Sequence, residues 1–440
     1  MNRWLLIWSV ICTQSSFATS LEEMFKDAIA CNYGLKASYF EIQSAVGEKY
    51  QAIGNALPSA SVSYDYKHSD TTLTNDANYK SSPSVRNAKI KGELSLSAYF
   101  ALKASNKNVE AKVLNFLNEK QTLLMNVFDT YKSTIVNFEI YEAQAAQIDY
   151  LQNVYTQENQ KLDAGASTLT NVAQAKSNLD KAIANQIEIR LRIVKSLNQL
   201  QALTGKAYKY IPKSSQQRDA TRYLRLKSLS YYKKTGASGN LKLRELAKGL
   251  EAQSEAQKAA QSRYLPYIVY EGAYSETDYS SSDTTTSFNT DNTTTAVASI
   301  GYSFGGDRYG QLKTQASKTQ VLTNNLNDKI NQFYSEIANA YASTQANAMS
   351  LSKYEQTVAS AKISLNASRA SFDAGAATIL DVLDSLQDLM DAETSTANAR
   401  YDYIGAYINL RQLAGEDMSE YTRQVDRVLD QQISVANLLF

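Results

Sequence analysis

The feature that most limits what this chain can fold into is that it runs through the same pattern twice. Lys161-Leu162-Asp163-Ala164-Gly165-Ala166 returns 210 residues later as Ser371-Phe372-Asp373-Ala374-Gly375-Ala376, and Leu203-Thr204-Gly205 returns at the same offset as Leu413-Ala414-Gly415. Tyr131 with Tyr341, and Leu102-Lys103 with Leu312-Lys313, keep that register, whereas Leu57-Pro58 and Leu265-Pro266 fall two residues short of it. Several landmarks in one register indicate an internal duplication whose length change lies in or near loops.

Within each half the apolar period changes from two to about 3.6 and back. Ala60, Val62, Tyr64 and Tyr66 alternate with polar neighbours over 59–67, and Ile90, Leu94, Leu96 and Ala98 repeat the alternation with Gly92 in the series. In the second half Ile268, Tyr270, Gly272 and Tyr274 form a third such strand, and Ala298, Ile300, Tyr302 and Phe304 a fourth. Each spans about ten residues, the length that crosses a bilayer when tilted. The segments 67–88 and 275–295, rich in Ser, Thr, Asp and Asn, read as solvated loops. His68, the single histidine, is expected to be a surface side chain there.

The remainder reads as helix. No proline occurs between Ser84 and Ile211 or after Pro266, so very long helices are permitted. Val113, Leu117, Leu124, Val127, Tyr131, Phe138, Tyr141, Ala145, Ile148 and Tyr155 follow a four-three spacing interrupted by Lys120, Thr134 and Gln152. Phe116, Leu123, Phe128 and Ile135 add a second stripe, as expected of a helix with neighbours on two sides. A helix over 99–163 would be on the order of 100 Å long. Gly165 and Gly375 read as stops that turn the chain back into a second helix, which in the first half runs through Leu179, Ala182, Ile189, Ile193, Leu200 and Leu203.

Composition excludes several classes. Lys and Arg number 45 against 44 Asp and Glu, so bulk charge offers nothing to nucleic acid. With one histidine, no cysteine pair and no phosphate loop, neither catalytic residues nor a metal or cofactor site are expected, and Gly301 with Gly305-Gly306 reads as strand-end backbone. Met1-Asn2-Arg3, the apolar run 4–11 and the ending Ser16-Phe17-Ala18 form a secretory leader with cleavage expected after Ala18. The bulky Val10-Ile11 before Cys12 disfavours a lipoprotein. Cys31 then remains alone and is expected to be a small buried hydrophobe. No run of some 18 apolar residues follows the leader, so a membrane could be spanned only as a closed β-barrel. Four strands cannot close one: two copies would give a filled eight-stranded barrel, three a twelve-stranded barrel with a lumen.

The order of strand pair and helical hairpin, twice over, together with Phe372-Asp373-Ala374-Gly375-Ala376-Ala377-Thr378-Ile379-Leu380-Asp381-Val382-Leu383-Asp384 and Ala397-Asn398-Ala399-Arg400-Tyr401-Asp402-Tyr403, resembles the TolC family of outer-membrane efflux proteins over nearly all of the chain after the leader. The resemblance implies a mainly α fold with a membrane portion: a homotrimer in outer-membrane lipid, its twelve-stranded β-barrel continued by a periplasmic α-barrel. It also implies docking to a periplasmic adaptor and an inner-membrane pump, for export of small molecules or proteins. The expected organisation is a leader over 1–18, a first repeat over 19–205, a linker over 206–240, a second repeat over 241–415 and a tail over 416–440. The linker region 206–234 holds nine basic residues against Asp219 alone, which reads either as a surface for an acidic partner or as a solvated linker.

By the same resemblance Asp381 and Asp384 match the acidic ring of a periplasmic constriction. Crowded carboxylates there would raise one another's proton affinity and select cations. Asp388 and Asp391 continue the spacing and could extend the stripe along the lumen, whereas Asn171, Gln174, Asn178 and Lys181 at the equivalent first-half positions carry no acid. The family's charged latch is missing: its matching positions are Ala377 and Phe372, expected to face Thr170 and Asn171, so closure must rest on packing or other hydrogen bonds. The alternative reading is a soluble periplasmic or surface coiled-coil scaffold with no channel activity.

Overall fold

The computed structural model describes residues 20–72, 78–81, 83–214, 220–278, 290–302 and 305–435. The expected leader, Cys12 and Phe304 lie outside these. The elements run α1 (Leu21–Cys31), α2 (Tyr33–Ala56), β1 (Ser59–Tyr66), β2 (Ser69–Thr72), β3 (Asn78–Ser81), β4 (Ser84–Leu94), α3 (Leu96–Asp163), α4 (Leu169–Thr204), β5 (Tyr210–Lys213), α5 (Ala220–Tyr223), α6 (Leu229–Gly239), α7 (Leu241–Ser262), β6 (Tyr267–Asp278), β7 (Thr290–Gly301), α8 (Gly306–Asp373), α9 (Ile379–Leu413), α10 (Met418–Asp426) and β8 (Gln431–Ser434). Among the described residues no helix is long and apolar enough to cross a membrane.

One unit, residues 39–115 and 242–329, carries an antiparallel sheet in the order β1-β4-β6-β7. The register sorts side chains by face. One face stacks Val62, Ala88 and Tyr274 in one row, Ala60, Ile90 and Gly272 in the next, and Leu94, Ile268 and Ile300 towards the helical end. The other presents Ser61, Lys89 and Thr295, then Ser63, Asn87 and Ser275, and an ion pair joins Lys89 to Glu271. The apolar face is uncovered: Val62 is 86% and Ile300 79% exposed. Two close approaches shape the sheet. The Tyr270 ring lies over Gly92 and the Tyr267 ring over Gly301, each filling the space a Cβ would need. The flanking helices are tied by charge, with Lys107 and Lys248 each contacting both Glu110 and Glu251, and Lys112 contacting Glu41.

Element ends correct the sequence reading in two places. The second strand stops at Leu94, not Ala98, because the Ser95 hydroxyl accepts the Ala98 amide at 3.2 Å and starts α3. The expected loops are shorter: β4 begins at Ser84, β6 runs to Asp278, β7 begins at Thr290, and β2 with β3 makes a hairpin inside the first loop. Polar residues can extend a strand when a paired neighbour satisfies the backbone, and an apolar count cannot see this.

The other unit, residues 20–38, 116–241 and 330–435 as described, holds the cores. The larger is built around Phe128, Tyr131, Phe138, Tyr401, Tyr403 and Tyr407. Its tyrosines are buried because each hydroxyl has somewhere to go. Tyr131 donates to the Pro212 carbonyl at 2.8 Å and Tyr401 to Glu139 at 3.0 Å, while the Ser214 amide donates to the Tyr401 hydroxyl. Arg400 completes the set through a buried pair with Glu139 at 3.2 Å. Burial pushes the Glu139 carboxyl above its ordinary range, opposed by the Arg400 and Lys213 charges. β5 pairs with β8 beside this network. Three of the basic residues in 206–234 meet acids of this unit: Lys206 meets Asp27, Lys213 meets Glu142, and Lys227 meets Glu416. Cys31 is half-buried rather than buried, against Gly205.

Along α3 the buried seam passes through Leu124, Val127, Tyr131 and Phe138 as expected, with Thr134 fully buried and bonded to the Thr130 carbonyl. Beyond that it passes through Gln144, Gln147, Leu151, Val154 and Glu158, leaving Tyr141, Ala145, Ile148 and Tyr155 only half-buried. Gln144 donates to Gln147 at 2.7 Å and to the Ala182 carbonyl of α4, so polar side chains occupy a seam that hydrophobic spacing assigned elsewhere.

α6 approaches the end of α9 through glycine. A Cβ on Gly415, whose φ is +68°, would lie 2.2 Å from the Gly239 carbonyl carbon. Gly415→Ala adds a left-handed-conformation penalty to a backbone clash, together about 2–5 kcal/mol. A clearly lowered thermal midpoint of the purified protein in detergent is the expected result.

Candidate channel entrance at the paired hairpin turns

Both turns are built alike. α3 ends with the Gly165 amide donating to the Leu162 carbonyl and the Ala166 amide to the Lys161 carbonyl. α8 ends with Gly375 donating to Phe372 and Ala376 to Ser371. Gly165 and Gly375 have φ of +72° and +75°, the left-handed conformation that closes this hydrogen-bond pair. Three residues on, Thr168 and Thr378 cap α4 and α9, accepting the amides of Asn171 and Asp381.

The second cap makes use of a residue singled out by sequence. The Asp381 carboxylate accepts both the amide and the hydroxyl of Thr378 at 2.7 Å, closing a capping box. Hydrogen bonds from the Thr378 side chain and backbone hold the Asp381 carboxyl below its ordinary value. The raised proton affinity expected from crowding is therefore not what this chain's own contacts produce at Asp381.

The spacing of Asp381, Asp384, Asp388 and Asp391 keeps all four on one side of α9, and all four are exposed. The opposite side anchors the helix: Ile379, Val382, Leu383 and Leu386 pack on Leu151 and Val154 of α3, Leu179 of α4 and Leu365 of α8. Each such burial is worth about 1.5–3 kcal/mol, so the carboxylates stand on a fixed helix. Asp384 and Asp391 line a groove of about 530 Å³ floored by α3, and Lys181 and Arg192 line it from α4. Asp391 also accepts from Gln387 at 2.9 Å. Asp388 is not among the groove residues. The stripe thus divides into a capping carboxylate, two groove carboxylates facing a basic helix, and one outside the groove.

Within one chain the tip residues make contacts that the spacing did not suggest. Phe372 meets Lys161, whose Nζ lies 4.2 Å from the ring centre. Asn171 bonds Ser167 of its own turn at 3.3 Å, Thr170 is exposed, and the Ala377 amide donates to the Ser371 carbonyl within its own turn. A second cation–ring contact sets Arg369 of α8 3.9 Å over Tyr150 of α3. Burial raises the Tyr150 hydroxyl pKa. Lys161 is steadied by Glu158 at 3.1 Å, a carboxylate that is 2% exposed and also receives the Ser167 hydroxyl. Two cations therefore clasp the first hairpin to the second. A comparison of the two halves could have flagged them, since Lys161 stands opposite Ser371, and Arg369 opposite Asn159, in the repeat register. Among the described residues no group of three or more His, Cys, Asp or Glu side chains is placed to hold a metal.

The sequence profile of the outer membrane efflux proteins matches residues 25–206 and again 237–416. The chain belongs to that family. Outer membrane efflux proteins sit in the outer membrane and extend into the periplasm, and so does this member. The outer membrane protein TolC of Escherichia coli K12 is 23% identical over 410 residues, covering 91% of this chain and 83% of TolC. The alkaline protease secretion protein AprF of Pseudomonas aeruginosa is also 23% identical, covering 94% of this chain and 88% of AprF. The solved CmeC outer membrane channel of Campylobacter jejuni superposes with a TM-score of 0.77 at 15% identity, over 96% of this chain and 95% of CmeC. That likeness establishes the shared fold.

Cation–ring contacts contribute about 0.5–2 kcal/mol each. Lys161→Ala and Arg369→Ala are each expected to speed amide hydrogen exchange in the segments 150–165 and 369–377, by a few-fold to roughly thirtyfold. Exchange around Tyr401 should stay unchanged.

Proposed function

We propose that this chain is one subunit of a trimeric outer-membrane exit duct, a passive conduit supplied by a periplasmic adaptor and an inner-membrane pump. The observation that carries the reading is the uncovered apolar face of a four-stranded sheet ordered β1-β4-β6-β7, which leaves β1 and β7 as edges. In lipid an edge must be paired, and an apolar face needs no cover. Joining β7 of one copy to β1 of the next satisfies both conditions, and three copies give twelve strands around a lumen lined by the Lys89 and Ser61 face. The helical part supports the same assembly. Ile183, Ile187 and Leu191 form an exposed stripe on α4, and Met349 and Ile363 another on α8. Neighbouring subunits would cover them. A soluble scaffold would leave the sheet's apolar face in water, where contiguous patches of this kind are not tolerated.

Three copies of the paired turns form the periplasmic entrance in this proposal, with Asp381 and Asp384 contributing six carboxylates and Asp388 and Asp391 extending them. The Lys161–Phe372 and Arg369–Tyr150 clasps take the place of the family's charged latch. The pump and adaptor of such a system determine the cargo, whether small molecules or a secreted protein such as the one for which AprF is named.

Single-channel recording in planar bilayers tests the reading. Wild type should conduct, prefer cations and be blocked by divalent ions. Asp381→Asn with Asp384→Asn keeps most of the cap geometry and is expected to lower the cation-to-anion permeability ratio several-fold and relieve the block. Conductance with unchanged selectivity would refute the acidic entrance. A monomer soluble without detergent would refute the duct itself.

A further inference from the structure

The groove between α4 and α9 has one basic wall and one acidic wall. Lys181, Asn185 and Arg192 line it from α4, and Asp384, Gln387 and Asp391 line it from α9. The two bases are 11 residues apart and the two acids seven, about 16 and 10 Å along their helices. All four charged side chains are exposed. Their contacts run along their own helices rather than across: Arg192 meets Glu188 at 3.6 Å, and Asp391 accepts from Gln387 at 2.9 Å. Packing keeps the walls from closing on each other. Leu179 of α4 and Val382, Leu383 and Leu386 of α9 are each anchored on α3, where Leu151 and Val154 belong to the same core. Gln144 of α3 also donates to the Ala182 carbonyl of α4 at 3.3 Å. The floor mixes polar and apolar groups: Gln144 and Gln147, 5% and 9% exposed, lie along it with Leu151 and Met390. Small-molecule sites are typically preformed clefts of about 300–1,000 Å³ with an apolar lining and a few convergent polar groups. This groove measures about 530 Å³.

A lone cation entering this groove is drawn to α9 and repelled by α4, and a lone anion meets the reverse, so the two walls largely cancel. A molecule that carries both charges gains from both walls when it lies across the groove. We infer that the groove is a binding site for a zwitterion, a small molecule bearing an ammonium and a carboxylate on an apolar frame. The ammonium faces the wall of Asp384 and Asp391, the carboxylate faces the wall of Lys181 and Arg192, and the frame lies over Leu151, Leu383 and Met390. The inference rests on the duct reading in one respect, that the aspartate side of α9 faces the lumen. The site then lies on the wall of the passage and retains zwitterionic cargo in preference to simple cations or anions.

Three compounds on one frame test this with the purified protein in a non-ionic detergent at low salt. The dipeptide Phe-Phe carries both charges, its carboxyl-terminal amide carries only the ammonium, and N-acetyl-Phe-Phe carries only the carboxylate. Equilibrium dialysis, against a blank of detergent alone, should show saturable binding of Phe-Phe about tenfold tighter than that of either singly charged compound. Lys181→Gln with Arg192→Gln should weaken Phe-Phe binding about tenfold while the amide binds no more weakly than to wild type. Asp384→Asn with Asp391→Asn should weaken Phe-Phe binding by a similar factor while N-acetyl-Phe-Phe binds no more weakly. If the amide binds wild type as tightly as Phe-Phe does, the groove is an acidic patch and the inference is overturned. Absence of saturable Phe-Phe binding overturns it equally. Conductance is recorded with no dipeptide present, so the two readings fail separately: a conducting channel that binds no Phe-Phe loses the site and keeps the duct.

Discussion

Backbone hydrogen bonding at the edges of a four-stranded sheet is the constraint from which the rest follows. β4 and β6 are paired on both sides, whereas β1 and β7 offer one row of amides and carbonyls each. Water could satisfy those groups, but the sheet also turns a face of Val, Ile, Leu and Tyr outward with no helix over it. An environment that favours the face leaves the edges unsatisfied, and one that satisfies the edges penalises the face. The proposed pairing between copies resolves the conflict. It also explains why the helices carry apolar stripes that their own chain leaves bare.

Much of this was legible because duplication and periodicity are coarse signals that survive local exceptions. The four strands of the β1-β4-β6-β7 sheet and both long hairpins could be placed from alternation, from the glycines at 165 and 375 and from the absence of proline. Details failed where polar side chains took structural positions. Ser95 ended a strand that apolar spacing extended to Ala98, and Gln144, Gln147 and Glu158 occupied a seam assigned to their neighbours. Such residues are buried only because particular partners exist, and partners far apart in sequence are invisible to a window of a few turns.

The entrance shows the same division. Four aspartates on one side of α9 follow from spacing alone. Their differing surroundings do not, because those depend on Thr378 for one and on α4 for two others. The clasp was missed for a chemical reason. A search for opposite charges passes over Lys161 and Arg369, since their partners are rings rather than carboxylates. The two halves of the duplication have therefore diverged into complementary roles at their turns, the first supplying Lys161 and Tyr150 and the second Phe372, Arg369 and the acids.

The pairing of β5 with β8 has a consequence for timing. It joins residues 210–213 to 431–434, and Arg400 must reach back to Glu139 before their buried pair can form. A chain emerging from its amino end can wind each hairpin as it appears, but it cannot complete its central core until almost the last residue has arrived. Such a protein is kept open by its own topology throughout its passage across the inner membrane. Its rigidity is therefore gained late, once the last strand has arrived.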